Sequence, residues 1–243
     1  MPNNKEIVVT GGGTGIGYAV AAAFARAGER VTITGRREQV LAEAATLAGA
    51  RPVVFDAADP AAVEAALVEL PDRVDVLVNN AGGNTDFLDG GDGEEGLAGF
   101  AAAFERNLRS NVVSAALVTH ALRDRLADGA RIITVGSIAA HTGAGSYGAA
   151  KAAVEAWNRS VARDFGPRGI TANVVAPGLI EDTEFFHGQL SDRRREWLIG
   201  TTMTKRAGTP DDVVAVVTFL ASPAAGHVTG QVVHVNGGAH LGK

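Results

Sequence analysis

Tyr147 and Lys151 stand four residues apart, and Ser137 lies ten residues before the tyrosine. Four residues are about one turn of an α-helix, so the phenol and the ammonium would share a face. A phenol with a pKa near ~10 is a poor acid at neutral pH, but an adjacent ammonium favours the phenolate and draws the pKa toward a working range. Ser137 could then hold a carbonyl oxygen for Tyr147 to protonate. On its own, a Tyr and a Lys at this spacing also describe a surface pair on an amphipathic helix. The pair acquires meaning only from the elements that position it.

Residues 131–135 (RIITV) are rich in β-branched side chains and predict a buried strand ending just before Ser137. Residues 147–165 have helical spacing, with Ala153, Val154, Trp157 and Val161 on one side. The same alternation runs from the start of the chain. Residues 6–10 predict the first strand, and Gly11-Gly12-Gly13-Thr14-Gly15-Ile16-Gly17 turns into a helix lasting to about Ala27, with Gly28 as its stop. Such glycines let backbone approach a pyrophosphate, and the helix N-terminus offers free N–H groups and a positive dipole end. The spacing is Gly-x3-Gly-x-Gly, which is not the commonest dinucleotide fingerprint, so a tight turn without a ligand competes with a phosphate site.

A second strand at 31–34 is followed by Gly35-Arg36-Arg37, where an NAD-binding protein would usually place a carboxylate for the ribose hydroxyls. A guanidinium there suits a 2′-phosphate and argues for NADP over NAD; the alternative is an arginine pair that merely opens the helix at 38–48. A third strand, 52–55, ends at Asp56, which either accepts a hydrogen bond from an adenine amino group or acts as a cap. A helix at 60–70 has Pro60 in its first turn. The fourth strand, 74–78, precedes Asn79-Asn80-Ala81-Gly82, whose small residues permit close approach to a ligand.

Residues 82–99 are glycine-rich and acidic without a base, and predict a mobile loop that is either solvated or edges the substrate entrance. A long helix from 100 to 126 carries Asn107 and Asn111, and asparagine is a poor mid-helix residue. Small apolar neighbours turn Asn111 inward, where it must hydrogen-bond something. A sixth strand at 170–175 stops at Pro177-Gly178. Residues 181–205 then break the alternation with aromatic residues and the run Arg193-Arg194-Arg195, and read as a mobile substrate lid. A helix at 210–221 and a strand at 232–235 close the chain. The whole reads as an α/β fold in a single domain, 1–243: a doubly wound, Rossmann-type, seven-stranded parallel sheet with helices on both faces. Ligands bind outside the C-terminal strand ends of such sheets, and Gly11, Arg36, Asp56, Asn80, Ser137 and Pro177 all follow strand ends.

The totals exclude several classes. Formal net charge is -5 with both signs scattered, so no basic stripe holds a nucleic acid. The absence of cysteine rules out disulfides and Cys-ligated metal. The first residues lack a signal-peptide pattern and no apolar run reaches the ~18 residues of a membrane span, so a cytoplasmic protein without a membrane partner is expected.

Taken together, Thr10-Gly11-x3-Gly15-Ile16-Gly17, Asn79-Asn80-Ala81-Gly82, Ser137, Tyr147-x3-Lys151 and Pro177-Gly178 resemble the short-chain dehydrogenase/reductase family over essentially the whole chain. Arg206-Ala207-Gly208-Thr209-Pro210 and Phe219-Leu220-Ala221-Ser222 are similar to its 3-oxoacyl-carrier-protein-reductase-like group. The resemblance implies a hydride transfer between NADP(H) and a small carbonyl or secondary alcohol substrate. It implies Tyr147 as general acid/base, Lys151 as the group that lowers its pKa and binds the nicotinamide ribose, Ser137 as the orienter of the substrate oxygen, and Asn111 as the positioner of a water in a proton relay to Lys151. Implied cofactor contacts are Gly11, Thr14, Gly15, Ile16, Gly17, Arg36, Arg37, Asp56, Asn80, Ala81, Gly82, Tyr147, Lys151, Pro177, Gly178, Ile180 and Thr183, with no metal required. A homodimer or homotetramer built on the helices at 100–126 and 147–165 is also implied. The chain departs from the family pattern twice: the Ser137 to Tyr147 loop, through His141 and Gly145, is trimmed, and Thr183 falls one residue late for a carboxamide contact. The competing function is a non-catalytic NADP(H)-binding sensor or scaffold, which would need none of Asn111, Ser137, Tyr147 and Lys151.

Overall fold

The central strands of this chain are apolar on both sides and buried on both, whereas the edge strands at 51–54 and 232–235 are only partly covered. In β1 (Glu6–Thr10), Ile7 and Val9 pack into one layer with Val20, Phe24, Leu41, Val213 and Val217, while Val8 packs into the other with Val63, Leu77, Val118, Leu122 and Val161. Alternate side chains of one strand therefore serve two cores. The structure, a computed structural model, describes residues 4–87 and 96–242.

β1, β2 (Arg30–Gly35), β3 (Arg51–Val54), β4 (Val74–Asn79), β5 (Leu126–Val135), β6 (Thr171–Pro177) and β7 (Val232–Val235) form one parallel sheet in the order β3-β2-β1-β4-β5-β6-β7. Helices cover both faces: α1 (Gly15–Arg26), α2 (Glu38–Ala48) and α9 (Pro210–Leu220) on one, and α3 (Pro60–Ala66), α5 (Ser114–Ala121) and α7 (Gly145–Phe165) on the other. The strand order reverses between β1 and β4, which opens a crevice beyond their C-terminal ends.

Four local readings change. The glycine-rich stretch at 82–99 is not all loop, because α4 (Gly96–Leu108) begins inside it; residues 88–95 lie outside the described residues. The expected helix from 100 to 126 is instead α4, a π-helical turn at Arg109–Val113 and α5, after which Leu126 opens β5. The turn is widened where Ser114 Oγ donates to the Ser110 carbonyl at 2.7 Å. In β5, Leu126 pairs with Val74 but Arg131 pairs with Val76, so the residues between bulge outward over Gly129, and the regular ladder starts at Arg131. The loop after Ser137 winds into one short turn, α6 (Ala139–Thr142), and 181–205 contains a single helix, α8 (Asp192–Thr201).

The Arg206 to Pro210 motif has a mechanical role. Thr209 and Asp212 make a reciprocal capping box on α9, and Arg206 donates to both Asp212 carboxylate oxygens at 2.7 and 2.8 Å. These bonds hold Asp212 well below the usual carboxylate range. Among the described residues, no helix is long and apolar enough to cross a membrane.

Candidate active site

The strand ends converge on a cleft of about 730 Å3. Its walls include Gly11, Thr14, Gly15 and Ile16 after β1, Arg36 and Arg37 after β2, Asp56 after β3, and Asn80, Ala81 and Gly82 after β4. Ser137, Tyr147 and Lys151 line it beyond β5, and Pro177 at the end of β6 with Gly178, Ile180 and Thr183 beyond it. Two expected residues do not line it. A Cβ on Gly17 would stand 2.2 Å from the Gly11 carbonyl oxygen, so this glycine lets the helix pack against its own turn. Asn111 is buried, and its side chain accepts from Gly83 N at 3.1 Å and donates to Gly83 O at 2.9 Å and Asn107 O at 3.0 Å. The awkward buried amide is thus a strap on the loop after β4.

The glycine turn is braced from beside it. Thr10 Oγ1 accepts from Asn80 N and Ala81 N, both at 3.0 Å, and Asn80 Nδ2 donates to the Gly11 carbonyl at 2.9 Å. Thr14, the N-cap of α1, is extended and makes no side-chain cap, so the first-turn N–H groups of a 12-residue helix open toward the cleft. Glu184 shows what this corner attracts. Its carboxylate accepts from Arg37 Nη2 at 2.8 Å and lies beside the Thr14 side chain. The Arg37 hydrogen bond holds Glu184 below the usual carboxylate range. An anion of this chain therefore rests on the turn whose residues suit phosphate oxygens, and the donor set fits a dinucleotide. Arg36 is largely exposed, with Asp56 3.8 Å away. Asp56 itself accepts from Ala58 N at 2.9 Å, and Asp59, not Asp56, caps α3.

At the catalytic corner, α7 begins two residues before Tyr147, so the tyrosine sits in the first turn and Lys151 one turn on. Ser137 Oγ accepts from Ala139 N at 3.1 Å, and its side chain is close enough to Tyr147 to act on the phenol. Lys151 Nζ lies 5.7 Å from the centre of the tyrosine ring and donates to the Val135 carbonyl at 2.9 Å. The expected lowering of the phenol is not what this geometry yields: burial pushes Tyr147 up to about 12, against the smaller opposing effect of the Ser137 hydrogen bond. Burial likewise brings Lys151 down to about 8. Both groups are enclosed, and desolvation is the leading cause of each shift.

Residues 181–205 reach back over this corner. Phe185 lies 5.6 Å from the Tyr147 ring and 5.9 Å from Phe87, and Thr183 comes within 3.4 Å of where a Gly15 Cβ would be. Sequence reasoning missed Glu184 and the bracing by Thr10. Glu184 carried no signal because its partner is 147 residues away, whereas Thr10 was already part of the quoted turn.

Residues 11–240 match the family described as Enoyl-(Acyl carrier protein) reductase. The chain is 35% identical over 246 residues to the 3-oxoacyl-acyl-carrier-protein reductase FabG of Vibrio cholerae, with 98% of each chain covered. It is 36% identical over 253 residues to the short-chain reductase protein NovJ of Streptomyces niveus, covering 95% of this chain and 92% of that one. Among solved structures, it superposes with a TM-score of 0.83 and 33% identity on a blue fluorescent protein from a metagenomic library in complex with NADPH, covering 98% of this chain and 99% of that one. A chain with this sheet order and such relatives along nearly its whole length belongs to the short-chain dehydrogenase/reductase family, as an oxidoreductase related to the 3-oxoacyl-carrier-protein reductases.

Proposed function

We propose that the protein transfers a hydride between NADP(H) and a carbonyl or secondary alcohol, and works as a ketone reductase. The observation that carries this reading is the pair of hydroxyl residues, Ser137 and Tyr147, brought together at the cleft wall with Lys151 one turn away. Two convergent hydroxyls suit one substrate oxygen. Tyr147, kept protonated by burial, gives its proton to the carbonyl oxygen, while Ser137 donates a second hydrogen bond and disperses the developing charge. The Lys151 ammonium stabilises the phenolate left behind. Asn111, by fixing Gly83 beside the cleft, supports the path by which the proton is restored. NADPH, when bound, supplies the hydride to the carbonyl carbon.

Gly11, Thr14, Gly15 and Ile16 hold the pyrophosphate, and Gly17 shapes their turn. Arg36 and Arg37 take the 2′-phosphate, Asp56 the adenine, and Asn80, Ala81 and Gly82 the adjoining ribose. Pro177, Gly178, Ile180 and Thr183 border the nicotinamide. The structures in complex with NADPH at 33% and 32% identity support NADP as the cofactor. For the substrate, Phe87, Phe185 and Phe186 make an apolar wall beside Tyr147, and a 3-oxoacyl thioester is the narrower form, supported by the FabG relatives. The chain acts in the cytoplasm as one domain with 181–205 as a mobile lid. It assembles as a homodimer or homotetramer, a reading supported by the exposed Leu97 and Phe100 on α4; sedimentation as a monomer at micromolar concentration would reject it.

The test is NADPH oxidation with a short 3-oxoacyl thioester, with Tyr147→Phe as the comparison. Turnover should fall by roughly 10²–10⁴-fold in the variant, the range expected for losing a general acid, while NADPH affinity stays nearly intact. Undiminished turnover would remove Tyr147 from the mechanism.

A further inference from the structure

Three histidines from distant parts of the sequence meet outside the cleft. His141 belongs to α6, four residues after Ser137; His234 lies in β7; His240 follows in the C-terminal segment. One ring nitrogen from each lies within 4.8 Å of the others, and the ring centres are 5.3, 4.6 and 5.0 Å apart. None of the three lines the cleft, and the hydride chemistry uses none of them.

We propose that His141, His234 and His240 bind a transition-metal ion of the zinc class, which clamps the loop bearing Ser137 to the last strand and the C-terminal segment. Imidazole donors select zinc, cobalt, nickel or copper over magnesium and calcium. Zinc–nitrogen bonds of ~2.0–2.1 Å put tetrahedral donors about 3.4 Å apart, so closing the present triangle draws the three nitrogens inward and turns the His141 and His240 rings out of their stacked arrangement. Two further observations point to a ligand. His234 Nδ1 is buried and has no hydrogen-bond partner among the described residues, which leaves a ring nitrogen unsatisfied beside two other imidazoles. His141 Nε2 meets the Glu155 carboxylate at 3.0 Å, and Glu155 is buried on α7. A carboxylate behind a histidine fixes the ring's tautomer and turns the opposite nitrogen, here Nδ1, into the ligating atom.

The backbone is prepared as well. Asn236 accepts from Gly238 N at 2.8 Å and from His240 N at 3.4 Å, and donates to the His240 carbonyl at 3.0 Å. That ring of bonds holds the C-terminal segment against β7 before any ion arrives. The fourth coordination position falls to water. The ion is structural, and the absence of any metal requirement in the hydride reaction is compatible with it.

Tag-free, chelator-stripped protein is titrated with zinc by calorimetry and with cobalt by visible absorption. One ion per chain is expected, with the intense cobalt bands of a tetrahedral nitrogen site. At zinc about a hundredfold above Kd, the melting temperature should rise by roughly 5–10 °C. His240→Gln and, separately, His141→Gln should each weaken zinc at least about 100-fold and remove the thermal shift, and Glu155→Gln should weaken it about 10–100-fold. His240→Gln alters a half-exposed residue, so its fold is checked by far-UV circular dichroism, and His141→Gln repeats the test on another element. No stoichiometric zinc, equal binding by both histidine variants and the native chain, or an equal response to magnesium would each overturn the site.

Discussion

Lys151 is an ammonium in a place that disfavours charge. Burial brings its pKa down to about 8, and its described partner is the Val135 carbonyl. A group depressed in this way is destabilising at every pH below its unfolded value: the folded chain has given up the proton by pH ~10, while the unfolded chain still binds it. Stability should therefore rise as pH goes from about 8 to 10, and the cost below 8 is roughly 3 kcal/mol. Above ~10 the raised phenol of Tyr147 acts in the opposite sense, since the folded state then holds the extra proton. Lys151→Met should abolish turnover yet be at least as stable at pH 7, because an unpaired Val135 carbonyl returns only about 1–3 kcal/mol. Urea melts at pH 7 and 9 check this: the native chain gains stability between them and the variant lacks that gain. Arg36 and Arg37 differ in another way. Arg37 is engaged by Glu184 at 2.8 Å, whereas Arg36 is 70% exposed with Asp56 3.8 Å away, and suits a phosphate. Arg36→Ala should weaken NADPH about 10–100-fold, the scale of lost charged hydrogen bonds, and NADH little. Equal losses for both cofactors would sink the phosphate assignment.

At the scale of elements, two asparagines decide how the helices flank the cleft. Asn107 is fully buried; it accepts from Thr85 N at 3.1 Å and donates to Asp86 at 2.8 Å and Ser146 at 2.9 Å. It ties α4 to the segment after β4 and to the residue preceding Tyr147. Asn107→Ala removes the acceptor of Thr85 N, while Asp86 is exposed and still has Ser146 Oγ beside it, so the change should cost about 1–3 kcal/mol in urea melts and lower kcat as well. A loss below ~1 kcal/mol would show that water replaces the amide freely. Both asparagines were legible as poor helix formers, and Asn111 as one that needed a partner, but partners such as Gly83, Thr85 and Ser146 were not, because they are distant in sequence and brought near only by the fold. Element types were legible for a related reason: periods of two and 3.6 and the glycine stops are local. Boundaries failed where tertiary pairing overrode them. Leu126 joins β5 only because Val74 is opposite, and the π-turn at Arg109–Val113 follows from side-chain bonds that no periodicity records.

For the whole molecule, the sheet does the positioning. Six predicted contact residues follow six strand ends, and a parallel sheet must bring those ends to one edge, which is why the cleft could be drawn from sequence. What could not be drawn is how 181–205 folds back across it. That chain turns at Asp182 and His187, both in the left-handed region with φ of 57° and 47°, and between them it lays Thr183, Glu184 and Phe185 over the glycine turn and Tyr147. Gln189 adds a bond to the Phe87 carbonyl at 2.7 Å. The Glu184 carboxylate thus occupies Arg37, a donor that a phosphate would want, and lies beside the Thr14 hydroxyl. An exposed ion pair of this kind is worth at most about 1 kcal/mol, so cofactor binding displaces it at small cost. Glu184→Gln should tighten NADPH roughly two- to fivefold at low ionic strength, with the gain shrinking as salt screens the contact. Fluorescence titration of both proteins at two salt concentrations measures it. Weaker binding by the variant would reverse the assignment, making Glu184 a clasp that closes over a bound dinucleotide instead of a carboxylate that competes with one.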